Sequence, residues 1–367
     1  MKGKMELGSV RGMFLLSLAV AAAMAWGLVV AGAATAADPI KMKYAHGFSM
    51  ENPEGKAGEA IKNYIAASPV LKDRIKFEHY PGGALFSTDE ARTAVKSGGL
   101  ELASDVSSYL SKSIPAYELA DLPFLFKSAD HFFASMAATK QGQGLLKEAE
   151  SLGITILCER PSTNFFYKFF NSKRELRAPK DFKGLKLRTA PGLGFTDVTK
   201  LLGASTVAMA IPEVVGAFQS NMIDGTLTNE NGWTIFRLME YCKFVTALDI
   251  NSSYSWYVVN TNWWQKSVPA DLRPELIKAV KAGADTYAKA SEEQRQKVWG
   301  ELTKLWKDGK YTVTFLTPDE LKQWENTQKP LFEKLGKRFG TELIDKAREL
   351  APKYKAVSED LRDKFKK

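Results

Sequence analysis

Between Pro274 and Gly309 the sequence has no proline and no cluster of turn formers, while Leu276, Val280, Ala284, Tyr287, Ala288, Val298, Leu302 and Trp306 recur at helical spacing. Residues three and four apart share one face of a helix, so this run predicts one unbroken α-helix. At 1.5 Å per residue such a helix is about 50 Å long, more than one domain needs. It is read as a bridge between two domains.

The chain before this helix alternates strand with helix. Lys41 to Tyr44 alternates and breaks at His46-Gly47, Glu54 to Ala67 has helical spacing, and Arg74 to Tyr80 alternates strictly up to Pro81-Gly82-Gly83. Ser87 or Thr88 can cap a helix that runs through Val95 and stops at Gly98-Gly99, and Leu100 to Val106 follows as a third strand. The pattern returns at Ile154 to Cys158, Phe165 to Phe170 and Leu185 to Arg188 as strands, then Phe195 to Leu202 as a helix. Ile211-Pro212-Glu213 opens a helix with Ile211, Val214, Val215, Phe218 and Met222 on one face, ending at Asp224-Gly225, and Tyr254 to Asn260 is again a strand.

Alternating strands and helices predict parallel sheets with crossover helices. The expected fold is therefore α/β, a two-lobed clamshell of parallel-sheet domains that exchange strands and share the long helix, with a ligand cleft between the lobes. The expected division gives residues 38–164 plus about 254–290 to the first lobe, 165–253 plus about 291–315 to the second, and 316–367 to C-terminal helices. Ligand groups of such folds gather at strand ends and the loops after them. Arg188 ends its strand just before Pro191-Gly192, and a guanidinium matches a carboxylate with a planar pair of donors and keeps its charge when desolvated.

The first 37 residues have a different composition. Lys2, Lys4 and Arg11 precede an apolar run from Met13 to Ala34, and small residues follow through Ala37. A basic head, an apolar middle and an A-x-A exit read as a secretory signal peptide cut after Ala36 or Ala37; a retained membrane anchor is the alternative. Export predicts a periplasmic, soluble mature chain, with a monomer as its simplest state.

Three basic residues and one acidic one leave with this leader, taking the net charge from +9 to +7. The excess lies in the Lys-rich final third among interspersed acids, which reads as a solvated face and not as a nucleic-acid module. The two cysteines, Cys158 and Cys242, are either one disulfide or two small buried residues. His46, His79 and His131 are too scattered for a metal cluster, and no cofactor is expected.

Seven strings point further: YPGGALFS from Tyr80, ADLPFLF from Ala120, NSKREL from Asn171, DFKGLKLR from Asp181, LGAS from Leu202, MAIPEVVGAFQSNMIDG from Met209, and the helix from Pro274. In this order and spacing the chain resembles the substrate-binding proteins of tripartite ATP-independent periplasmic (TRAP) transporters, of the type named for C4-dicarboxylate uptake. The resemblance covers nearly the whole chain after the leader. It implies a periplasmic receptor that captures a small organic acid and hands it to a permease with a small and a large integral membrane subunit.

The resemblance also implies roles for residues. Arg188, at the end of the GLKxR strand, would grip the ligand carboxylate, and Lys168 falls near a second basic position of the family. His46, Gly47 and Phe48 fall at the first strand-to-loop turn, which lines the cleft in relatives; Ser107 ends the third strand at the same edge. Met209 and Ile211 would supply a wall, or else core. Thr228 and Asn229 could hydrogen-bond the ligand, while Leu227 replaces a usual Glu and leaves less capacity for sugar-like hydroxyls. Trp233 and Tyr254, with Phe48, Phe166, Phe169, Phe170 and Trp256, suggest a ligand with an apolar portion.

Two other functions are alternatives. A ligand-sensing receptor docked on a membrane sensor would use the same clamshell. A secreted enzyme would need an activated nucleophile, a metal cage or an acid/base pair, and the sequence has no G-x-S-x-G, no H-E-x-x-H and no Cys/His pair at motif spacing.

Overall fold

In strand β1 (Ile40–Ala45) Met42 and Tyr44 are fully buried while Lys41 is exposed, the alternation of a strand that turns one face to a core. A computed structural model describes residues 38–161, 166–190, 193–209, 213–359 and 361–365. The other strands are β2 (Ile75–Tyr80), β3 (Leu102–Val106), β4 (Ile154–Arg160), β5 (Lys168–Asn171), β6 (Lys186–Thr189), β7 (Ser205–Ala208), β8 (Gly225–Thr228), β9 (Phe244–Thr246), β10 (Ser255–Asn260) and β11 (Thr312–Thr314). They form two sheets, ordered β2-β1-β3-β10-β4 and β11-β9-β5-β8-β6-β7.

The two-sheet α/β architecture is the expected one, but the all-parallel sheets are corrected. In the first sheet β1 runs parallel to β2 and β3, whereas β10 is antiparallel to β3 and to β4. In the second, β6 is parallel to β7 and β8, and β5 is antiparallel to β8 and β9. The cause is the exchange of strands. β10 returns from the second sheet and enters the first at the edge where β3 ends, with Ser255 opposite Val106. A strand entering at that edge without a crossover helix must run the other way.

Two connections lead between the sheets, one from β4 to β5 and one from β9 to β10, and residues 166–167 of the first pair with residues 250–252 of the second. Phe166 bridges Ser252, Tyr167 N donates to Asn251 O at 2.8 Å, and Ile250 N donates to Tyr167 O at 3.3 Å. The long helix is the third connection. It spans Arg273–Lys307, 35 residues, and contacts helix Pro53–Ala67 and β4 in the first half and helix Glu230–Ile235 and β11 in the second. Its Gly283 is a contact point: a Cβ there would lie 2.5 Å from Ile61 Cγ1, so only glycine lets the two helices approach this closely.

One apolar cluster packs the first sheet against these helices through Ile61, Leu276 and Val280, and another packs the second sheet against Trp233, Trp299 and Phe365. A third runs from Phe132, Tyr254 and Trp256 to Phe169, Leu187 and Trp324, joining the halves on one side. Leu227 belongs to this last cluster and is fully buried.

Several boundaries shift. The third strand begins at Leu102, the fifth covers Lys168–Asn171, and the helix expected from Ile211 is seen from Val214 to Gln219. Ile211, Phe165 and the leader lie outside the described residues. Cys158 and Cys242 are free thiols in different halves of the molecule, and burial raises both pKa values, that of Cys158 to about 12. Among the described residues no helix is long and apolar enough to cross a membrane.

Candidate ligand-binding site

The facing edges of the two sheets follow from the strand registers. In the first sheet β1, β2 and β3 end at one edge; in the second, β6, β7 and β8 end where β5 begins, with Thr228 opposite Lys168. The loops leaving these ends carry most of the residues singled out by sequence.

Arg188, one residue before the end of β6, is 2% exposed. Its Nε and Nη2 both donate to the carbonyl oxygen of Met209, at 3.2 and 2.9 Å, and its guanidinium lies 5.1 Å from the Phe236 ring centre. The side-on fork is thus held by backbone. The Nη1 end has no hydrogen-bond partner among the described residues, and no carboxylate there lies within ion-pair distance. Burial lowers the pKa of Arg188 to about 10, while Tyr167, Tyr109 and the exposed Glu213 pull it back up electrostatically. A buried cation held in place, with a free pair of end-on donors, is suited to a carboxylate.

At the opposite edge the loop after β1 is tied to the loop after β2. His46 O accepts from Gly83 N at 2.9 Å, Phe48 O accepts from Gly82 N at 2.7 Å, and Gly47 N donates to Thr88 Oγ1 at 3.0 Å. Gly82 and Gly83 have φ of 67° and 77°, a conformation that favours glycine. His46 is buried, with Nε2 at 2.9 Å from His79 Nε2, and His79 Nδ1 lies 3.1 Å from Glu59 Oε1. Burial lowers the His46 pKa to about 4, so the ring is neutral at pH 7. Ser107 is fully buried: its N donates to Tyr254 O (2.8 Å) and its Oγ to Asp121 Oδ1 (3.3 Å). Tyr254 is stacked on Phe132 at 3.7 Å, inside the core.

The remaining predicted residues are engaged within the protein. Lys168 is fully buried and its Nζ reaches Glu230 Oε1 (3.1 Å), Asp249 Oδ1 (3.6 Å) and the carbonyl of Phe166 (2.9 Å). Asn229 Oδ1 caps helix Glu230–Ile235 by accepting from Asn231 N and Gly232 N. Thr228 is buried beside it, against Gly232. Trp233 packs on Phe170 and Tyr311, and its Nε1 donates to Glu301 at 2.9 Å. Arg188 and Met209 are thus brought into direct contact, as are Ser107 and Tyr254.

Four residues that sequence reasoning did not single out belong to this region. The ring of Tyr167, on the crossing segment, packs at 4.6 Å on Phe195, and the hydroxyl is 3.3 Å from Ser253 Oγ. It interacts electrostatically with both Arg188 and Arg92. Arg92 lies 4.0 Å above the Tyr109 ring and pairs with Asp89 (2.6 Å) and Asp105 (3.4 Å). Burial raises the pKa of Asp121 well above the usual carboxylate range, and its Oδ2 has no partner among the described residues. The Asp89/Arg92 spacing is an ordinary helix-surface pair, so nothing in it marked a cleft.

The model of one family, described as bacterial extracellular solute-binding protein, family 7, matches residues 44–338. The C4-dicarboxylate-binding periplasmic protein DctP of Rhodobacter capsulatus is 28% identical over 311 residues, covering 84% of this chain and 90% of that protein. Among solved structures, a TRAP periplasmic solute binding protein from Sulfurospirillum deleyianum with bound succinate matches with a TM-score of 0.73 at 21% identity, covering 84% of this chain and 98% of that one. Another, from Anaerococcus prevotii with bound D-glucuronate, matches with a TM-score of 0.75 at 20% identity, covering 86% and 100%.

Proposed function

We infer that this chain, which belongs to the bacterial extracellular solute-binding proteins of family 7, is the periplasmic receptor of a TRAP transporter: it captures a small organic acid and delivers it to the integral membrane permease subunits. The single observation that carries the reading is Arg188, buried and charged, held by Met209 O on one side and without a carboxylate partner among the described residues. Proteins rarely bury an unpaired cation, because desolvation costs several kcal/mol. An arriving carboxylate offsets that cost. Succinate, bound in one of the two similar structures, carries two carboxylates, and D-glucuronate, bound in the other, carries one.

In this mechanism the lobes divide as the strands do, with residues 38–164 and about 254–290 in one and 165–253 with about 291–315 in the other, and they close about the paired crossing segments. Arg188 binds from the second lobe, while Tyr109 and the loop from His46 to Phe48 approach from the first. Closure is favoured because the ligand touches both lobes only when they are shut. Lys168 acts as a positioning residue that fixes the start of β5 through Glu230 and Asp249, and Asn229 holds the helix that follows β8.

The test is calorimetric titration of the purified protein with a panel of small carboxylic acids, followed by Arg188→Met. Binding of at least one acid, reduced a hundredfold or more in the variant while far-ultraviolet circular dichroism is unchanged, is the expected result. Equal affinity in the two proteins refutes the assignment.

A further inference from the structure

We propose that the acid taken by this site carries one negative charge only: a single carboxylate on Arg188 and an uncharged body beyond it. The proposal rests on Arg188 being the carboxylate anchor, and follows from where the other positive charges of the two edges are spent. Lys168 is held by Glu230 and Asp249, Arg92 by Asp89 and Asp105, and Arg160 by Glu54. Lys168, Arg92 and Arg160 are buried together with Glu230, Asp105 and Glu54, so these counterions are fixed beside them, while Asp89 is exposed. Of the buried cations at these edges, Arg188 is the one without a carboxylate among the described residues. Residues 162–165, 191–192 and 210–212 contain no ionisable side chain.

A second carboxylate brought into the closed site would therefore be desolvated without a cation, which is strongly unfavourable. The one further cation near the Tyr109 ring, Lys112 at 4.3 Å, is exposed and stays hydrated, so it offers little to a buried charge. What surrounds Arg188 besides charge is aromatic. Phe236 lies against its guanidinium, and Tyr167, which interacts with it electrostatically, packs on Phe195. That environment suits an uncharged or aromatic body.

Pairs of acids that differ in charge but hardly in shape test the claim: succinate against succinamate, glutarate against glutaramate, terephthalate against 4-carbamoylbenzoate. Each is titrated into the purified protein and screened by thermal shift at about 10 mM, where a ligand well above its dissociation constant raises the unfolding temperature. The expected result is that the monoanion of every responding pair binds at least tenfold more tightly, and that Asp89→Asn, which releases Arg92 from one partner, narrows the gap severalfold. A dianion that binds more tightly than its monoamide overturns the proposal, as does the absence of any stabilising monoanion. If Arg188→Met leaves acid binding intact, the anchor itself is wrong; if that variant loses binding while the wild type prefers dianions, only the charge count is wrong.

Discussion

Arg160 closes β4 and forms an ion pair with Glu54, the second residue of helix Pro53–Ala67, with both side chains almost fully buried. Tyr44 donates to the same carboxylate, and the Arg160 guanidinium lies 4.0 Å from the ring centre of Tyr287 on the long helix and 4.7 Å from that of Tyr257 on β10. One cation thus fastens the first sheet, its first helix and the bridging helix together. Removing one member of such a pair leaves the other charged and desolvated, at a cost of about 3–5 kcal/mol. Glu54→Gln and Arg160→Met are each expected to lower stability by that order in urea unfolding. Equal stability of Glu54→Gln and wild type would contradict the burial.

The same region sets the response to acid. His46 has its pKa lowered from 6.5 to about 4, so between these values the unfolded chain binds more protons than the folded one. The stability His46 contributes is complete above pH 6.5 and is lost as pH falls toward 4, by up to about 3 kcal/mol. Glu54, whose pKa is lowered by Arg160 against the upward pull of burial, adds a loss at still lower pH. Unfolding free energies at pH 7 and pH 4.5 are expected to differ less in His46→Gln than in the wild type. Parallel curves would rule out His46 as the source.

Arg188 predicts the opposite balance between stability and binding. Its pKa is lowered to about 10 chiefly by burial, so its charge opposes folding of the empty protein. Arg188→Met is expected to leave the ligand-free melting temperature equal or a few degrees higher, because the lost hydrogen bonds to Met209 O are offset by removal of a desolvated charge. A fall of several degrees in differential scanning calorimetry would mean that Arg188 serves the fold.

Gly283 tests the helix contact. Replacing a mid-helix glycine by alanine ordinarily gains up to about 1 kcal/mol. Here the added methyl meets Ile61 at 2.5 Å and Ala57 O at 3.1 Å, so Gly283→Ala is expected to destabilise by about 1–3 kcal/mol in chemical denaturation. A stabilised variant would show that the two helices pack less closely than described.

Much of the fold was legible because its signals are local. The period of Leu276, Val280, Ala284 and Tyr287, and the alternation of Ile75 to Tyr80, are properties of one segment and survived into the structure as the long helix and β2. The direction of β10 was not legible, since it depends on which sheet edge the chain enters and no residue within Ser255–Asn260 encodes that. In the site, Arg188 stood out because of its place at a strand end. Lys168 reads as an open cation among aromatics, and only the fold brings Glu230 and Asp249, more than sixty positions away, to its ammonium. Tyr167 was invisible for the same reason, since Phe195, Ser253 and Arg92 are brought to it only by the fold, whereas Arg92 with Asp89 reads as an ordinary pair on a helix surface.

The position of β10 has a consequence for how the protein is made. It fills the slot between β3 and β4, yet it follows every strand of the second sheet except β11 in the chain. A polypeptide emerging amino end first therefore cannot close either half before residue 260 has appeared, and until then β3 and β4 face each other across a missing strand. The first sheet is therefore completed only after five strands of the second have been made.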